Sequence, residues 1–260
     1  MGEYIDAGGV RTYYEVLGDG DPVVLLHGGG TAGGSWSAQA PELAKQYRVF
    51  IPDRRGHGRS PDVEGPVTFE VYAADTVAFL EALELDPVHL IGWSDGGKVG
   101  VRVALSRPDL VRKLVMIGTE HTRAGGTPAN DHLTLSREGH ASLAGWFRQE
   151  YGETSPDGPE HFDVVFAKWV ELWTTLPDLD LGSLKSLPMP VLVMQGDDDC
   201  VRIEHAAEVA RAIPDAQVAV VPGASHGVPL EKPELVNRLL LDFLADTQAP
   251  KFMPMGDLHS

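Results

Sequence analysis

Three side-chain types in this chain could together cleave an acyl bond. A serine, Ser94, stands in Gly-Trp-Ser-Asp-Gly-Gly at 92–97, between an apolar strand pattern and a helix pattern. That is the G-x-S-x-G arrangement of a nucleophile held on a tight strand-to-helix turn. Bulky side chains at 92 and 96 would clash in such a turn, which accounts for the flanking glycines. A serine hydroxyl is a poor nucleophile near neutral pH unless a base takes its proton, and the base needs a third group to orient it. His226 follows the apolar run AQVAVVPG and is the expected general base. The expected acid is Asp199, in the run DDDCV after PVLVMQG, with Asp198 the next choice. Asp197 and Asp198 are read as caps of the turn and of the next helix.

A tetrahedral intermediate also needs donors for its oxyanion. HGGG at 27–30 follows the run PVVLL. Its glycines let backbone N–H groups approach a ligand closely, so the expected donors are the amides of Gly29 and of Asp95, the residue after the nucleophile. His27 is read as a structural hydrogen-bonder beneath that loop. Asp53 and Arg55, in PDRRGHGRS, are read as structural. The Asp95 side chain has two readings: a substrate-binding carboxylate that would pair with an ammonium, or an acid favoured by the positive end of a helix.

The elements that must position these groups follow from hydrophobic periodicity. Strands are expected at 10–18, 22–26, 47–53, 87–93, 110–119, 190–197 and 216–223, and core helices at 41–47, 68–85, 96–108, 203–213 and 235–246. Continuous apolar strands alternating with helices imply an α/β fold with a mostly parallel sheet covered on both faces. The rhythm breaks at residues 120–187, which read as helices alone, at 131–151 and 159–175. The expected organisation is therefore a core of 1–119 and 188–260 with a helical cap at 120–187, lying over the sheet edge where α/β proteins bind ligands. Trp146, Trp169 and Trp173 are expected in the cap's core. His121, His132, His140 and His161 are read as surface or pocket groups, not metal ligands. Residues 246–260, DTQAPKFMPMGDLHS, read as a loosely held tail.

The 260 residues are 43% hydrophobic, enough for one sizeable domain. A formal net charge of −17, from 38 acidic and 21 basic residues, argues against nucleic acid or an anionic membrane as partner. The single cysteine, Cys200, allows no intrachain disulfide and suits a reducing cytoplasm. No secretion leader or membrane-spanning run is read from the chain. No cofactor or metal is required; the expected partner is a small-molecule ester, bound by a monomer or small homo-oligomer.

With HGGG, PDRRGHGRS, GWSDGG, QGDDD and GASHGVPLEKPE in this order, the chain resembles the α/β-hydrolase superfamily over residues 3 to 245. The resemblance implies an α/β-hydrolase fold and a serine hydrolase acting through an acyl-enzyme on carboxylic esters. GWSDGG and the helix HFDVVFAKWVELW resemble the valacyclovir hydrolase (biphenyl hydrolase-like) group, which implies α-amino acid esters and a role for Asp95 on the substrate's ammonium. HGGG followed by TAGGSW also resembles the meta-cleavage-product hydrolases, which implies carbon–carbon bond cleavage, and length and cap are similar to enol-lactonases. A ligand receptor on the same fold is the non-enzymatic alternative.

Overall fold

In a computed structural model, residues 2–85, 87–175 and 178–245 are described. The expected tail at 246–260 lies outside them. Eight strands form one sheet: β1 (Glu3–Ala7), β2 (Val10–Leu17), β3 (Pro22–Leu26), β4 (Arg48–Pro52), β5 (Val88–Trp93), β6 (Val111–Ile117), β7 (Val191–Asp198) and β8 (Ala216–Ser225). Their order across the sheet is β1-β2-β4-β3-β5-β6-β7-β8. The β1–β2 and β2–β4 pairs are antiparallel and every later pair is parallel. β1 was not expected. Its EYIDA segment is mostly exposed, so periodicity had little to register, and its register with β2 forms it.

Alternate strand residues enter two separate cores. Val24, Leu26, Leu90, Leu114 and Val193 pack on one face, and Val23, Leu25, Ile91, Val115 and Met194 on the other. This period of two on apolar strands is what burial on both faces produces. The first face is covered by α2 (Phe69–Ala82), α3 (Asp95–Ser106) and α7 (Ile203–Ala212). The second is covered by α1 (Ala40–Leu43), α8 (Val228–Glu231) and α9 (Pro233–Leu244). The Thr68 side chain accepts from the Val71 amide and starts α2.

Between β6 and β7 the chain builds helices and no strand among the described residues: α4 (Pro128–Leu135), α5 (Arg137–Thr154) and α6 (Phe162–Thr174). The single helix expected at 131–151 is in fact two. Ser136 adopts extended geometry (φ −97°, ψ 153°), ends α4, and accepts from the Gly139 amide to begin α5. A serine side chain that competes for backbone donors breaks a helix that apolar spacing would continue. Trp169 is buried at the centre of this segment's aromatic cluster. Trp173 is buried in the same core, as expected, and also lines the pocket described below, whereas Trp146 departs from expectation at 63% exposed. No helix of the described residues is long and apolar enough to cross a membrane.

Candidate active site

Ser94 sits between the end of β5 and the start of α3, at φ 55° and ψ −119°. A non-glycine residue at positive φ is strained, and such strain persists only where its surroundings over-determine it. The surroundings do so here. The Ser94 amide donates to Ile117 O at 2.8 Å, tying the turn to β6. A Cβ on Gly92 would lie 2.2 Å from Gly96 O, and one on Gly96 would lie 2.0 Å from Leu26 O. Only glycine permits that approach.

The loop after β8 carries His226, and its backbone is fixed by Trp93 Nε1–H donating to His226 O at 2.9 Å. The His226 ring bridges two partners: Nε2 lies 3.0 Å from Ser94 Oγ and Nδ1 lies 2.8 Å from Asp199 Oδ1. The structure thus brings Ser94, His226 and Asp199 into one hydrogen-bonded line. Exclusion of water around the ring opposes its charging. The Cys200 sulfur and the Asp199 carboxylate beside Nδ1 outweigh that and hold its pKa well above the ordinary histidine value. Burial pushes the Asp199 carboxyl up, but its bond to His226 reverses this and leaves its pKa below the usual range. Neither neighbouring aspartate caps α7. Asp197 and Asp198 end β7, and Asp197 Oδ1 accepts from the Ala224 amide at 3.2 Å, bracing β8.

Gly29 lies across from this line. A Cβ there would fall 2.3 Å from Asp95 Oδ2. The loop's orientation comes from His27, expected beneath it, and from Arg54, to which the sequence reading gave no role. Gly28 O accepts from His27 Nδ1 (2.7 Å), Thr31 Oγ1 (3.2 Å) and Arg54 Nη2 (2.8 Å). Arg54 Nη1 also donates to His27 O. In a trans peptide the C=O and N–H point oppositely. Anchoring Gly28 O therefore turns the Gly29 N–H away from Arg54, and Gly29 itself lines the pocket. His27, fully buried, also accepts the Arg54 amide at Nε2 (3.1 Å). Burial, and then the Arg54 charge, hold its pKa far below normal, so it stays neutral. His57 accepts the Gly30 amide at Nε2 (3.2 Å) and stacks on Trp169, and burial pushes its pKa down to about 3. Asp53 accepts from the Gly33 and Arg59 amides, and Arg55 pairs with Asp75, so both shape the loop after β4. The position of PDRRGHGRS directly after a strand at the sheet's C-terminal edge was the available signal for Arg54 and His57.

Asp95 is 4% exposed and partnered. Its Oδ2 accepts from Trp173 Nε1–H at 2.8 Å and its Oδ1 lies 3.3 Å from Lys98 Nζ. Lys98 also binds Glu120 at 2.7 Å. Burial alone would raise the Asp95 carboxyl; Lys98 and the Trp173 N–H more than reverse this, and its pKa is lowered. Burial would likewise lower the Lys98 ammonium, but Glu120 and Asp95 raise it. Asp95 and Lys98 thus favour their charged forms, and two carboxyl groups share one ammonium.

Ser94, His226, Gly29 and Asp95 open on a cavity of about 310 Å³. Its far wall is Leu133, Leu143, Trp146 and Phe147 from the helices between β6 and β7. Arg123 and Asp131 complete its charged lining. Arg123 Nη2 donates to Trp173 O (3.2 Å) and Thr174 O (2.9 Å) at the C-terminal end of α6. Of the four histidines between residues 120 and 187, His121 is buried away from this lining, its amide donating to His205 Nε2. The arrangement can take a proton from a hydroxyl facing a carbonyl, hold the resulting oxyanion on backbone amides, and seat an apolar acyl group.

A profile of the Alpha/beta hydrolase family matches residues 23–239. The chain belongs to that family. The chain is 29% identical to the 2-hydroxy-6-oxo-6-(2'-aminophenyl)hexa-2,4-dienoic acid hydrolase of Metapseudomonas resinovorans, covering 93% of this chain and 90% of the relative. Among solved structures, a serine hydrolase involved in carbazole degradation is 27% identical and superposes with TM-score 0.79, covering 94% and 98% of the two chains. A thermophilic esterase from Thermogutta terrifontis is 26% identical with TM-score 0.73, covering 94% and 98%. The fold and family expected from the motifs are those observed, and the protein is a hydrolase of this fold.

Proposed function

We propose that this hydrolase cleaves carboxylic esters through an acyl-enzyme on Ser94. Ser94 Oγ attacks the ester carbonyl while His226 Nε2 takes its proton. Asp199 holds the ring with Nδ1–H toward it and stabilises the imidazolium. The Gly29 and Asp95 amide N–H groups donate to the developing oxyanion, and His226 returns the proton to the departing alkoxide. Water, activated by the same histidine, then releases the acid. The helices at 120–187 act as a cap that supplies the acyl wall.

The observation that carries the substrate class is the charge lining the pocket. Asp95, Glu120 and Asp131 face Lys98 and Arg123, and Lys98 is held by two of those carboxylates. Such a lining favours neutral esters, and above all esters bearing an ammonium near the carbonyl, over substrates with a carboxylate. This supports the narrower likeness to the α-amino acid ester hydrolases.

A second reading is hydrolysis of a carbon–carbon bond in an acidic dienone. Relatives named as hydrolases of such acids or their anions match more than 90% of the chain at 29% identity. Arg123 also favours it, because a guanidinium carries five donors and two carbonyls do not exhaust them. Rates on matched aminoacyl, alkyl and aryl esters and on a 2-hydroxy-6-oxo-dienoic acid decide between the two. The ester reading expects turnover of esters with a burst of alcohol or phenol, abolished by Ser94→Ala. Turnover of the dienoic acid with esters left untouched refutes it.

A further inference from the structure

A thiol that the ester mechanism does not use lies against the base. Cys200 Sγ is 3.3 Å from His226 Nδ1, on the side of the ring that faces Asp199. Ligand atoms of Asp199, Cys200 and His226 all lie within 4.8 Å of one another. The Asp199 side chain is fully buried, and its Oδ2 has no hydrogen-bond partner among the described residues. A buried carboxylate oxygen with no partner is costly, so it marks an unfilled demand for a donor or a cation. That oxygen is aimed at the same small space: a Cβ on Gly118 would lie 3.0 Å from both Asp199 Oδ2 and His226 Nδ1. Gly118, at φ +55°, keeps the space beside Nδ1 free of a side chain. Cys200 and His226 also line the substrate cavity, so an ion has a route in from solvent.

We propose that Asp199, Cys200 and His226 form an inhibitory site for a thiophilic divalent cation, with zinc the best fit. One thiolate, one imidazole nitrogen and one carboxylate are zinc's donor types, whereas magnesium and calcium prefer oxygen alone. Three protein ligands leave a fourth position for water, which suits a reversible occupant.

The consequence for the base follows from counting protons. In the working state His226 carries its proton on Nδ1, toward Asp199, and its Nε2 lone pair faces Ser94. A zinc ion takes the Nδ1 lone pair, so the bound neutral ring carries its proton on Nε2 instead. The Cys200 thiol releases its proton to solvent and binds as thiolate, one proton being lost for each ion bound. An Nε2–H can only donate to Ser94 Oγ and cannot take its proton. The ion therefore fixes the ring in the tautomer that does no work, without touching the serine.

The test has two arms. In non-chelating buffer, micromolar zinc should progressively stop ester hydrolysis by the wild-type protein, EDTA should restore it, and equal magnesium should do nothing. Cys200→Ser, scaled to its own metal-free rate, should need at least about tenfold more zinc, since even an outer partner of a metal ligand is worth that much. Cys200→Ala takes its place if the serine variant does not fold. The second arm needs no substrate. Cobalt(II) added to Ser94→Ala protein should give a thiolate-to-cobalt charge-transfer band that is missing when Cys200→Ser is added. Unchanged wild-type rates in zinc, equal inhibition with and without the thiol, or a cobalt band independent of Cys200 would each overturn the proposal. Because the cobalt arm reads binding alone, failure of the ester reading and failure of this site are separable.

Discussion

Replacing Asp95 by asparagine tests what the carboxylate beside the nucleophile does. Asp95 lies 3.3 Å from Lys98, which also binds Glu120 at 2.7 Å, and Lys98, the Trp173 N–H and Arg54 together hold the Asp95 carboxyl in its charged form at the pocket wall. A carboxylate offers about four acceptor positions, and Trp173 and Lys98 occupy two of those on Asp95. A substrate ammonium about 4 Å away at an effective dielectric of about 20 would gain about 4 kcal/mol before desolvation. The measurable share is about 2–4 kcal/mol, or roughly 30- to 10³-fold in kcat/KM. Asp95→Asn removes the charge and keeps the backbone N–H, and it leaves Lys98 neutralised by Glu120. Asparagine has one oxygen where Trp173 and Lys98 need two, so stability should fall by about 1–3 kcal/mol. The assay is therefore a ratio, an aminoacyl ester against the same ester lacking the amine, at a pH where the amine is protonated. A general loss of folded enzyme cancels in that ratio. Wild type should prefer the amine-bearing ester, and Asp95→Asn should erase the preference. Equal wild-type rates, or an equal fall on both esters, refutes the reasoning and leaves Asp95 a helix-start acid that braces Lys98 and Trp173.

Three further outcomes are expected. Asp199→Asn should lower kcat by about 10⁴-fold with KM less affected, and should move the acidic limb of kcat/KM to lower pH. The sign follows because the base works when neutral and Asp199 is one of the groups raising its pKa; a limb that stays in place assigns the orienting role elsewhere. Arg54→Met removes one of three donors to Gly28 O and the donor to His27 O, which loosens the Gly29 amide, so kcat should fall by up to about 10²-fold, the lower end of the loss known for one oxyanion donor; steady-state rates compared with a folded-state circular dichroism spectrum check it. Gly96→Ala puts a Cβ 2.0 Å from Leu26 O and should cost about 1–3 kcal/mol or more in denaturant unfolding, because the opposing atom is backbone.

The sequence alone determined the parts of this protein that depend on local pattern. β3, β5 and the central parts of β6 (Leu114–Ile117) and β7 (Val191–Met194) are buried on both faces, so each is a mainly apolar run whatever else surrounds it. The elbow around Ser94 is legible because its G-x-S-x-G pattern is local and the Gly92 clash with Gly96 O falls within five residues, although Gly96 itself is required by Leu26 O on β3. Chain order, with a histidine after the last strand and an aspartate after the one before it, was enough to nominate His226 and Asp199.

Only tertiary structure decided the rest. β1 is held by pairing with β2 and carries almost no hydrophobic signal of its own. Ser136 splits a helix through a hydrogen bond that outweighs the apolar spacing around it. Arg54 reaches Gly28 O across 26 positions of chain, and Trp173 reaches Asp95 across 78. The Cys200 sulfur meets the His226 ring from 26 positions away. The physical reason is common to these cases. Periodicity and turn chemistry act between neighbours in sequence, whereas hydrogen bonds and charges act between neighbours in space. Which polar groups are neighbours in space was set by how the sheet's C-terminal edge and the helices between β6 and β7 close on one another.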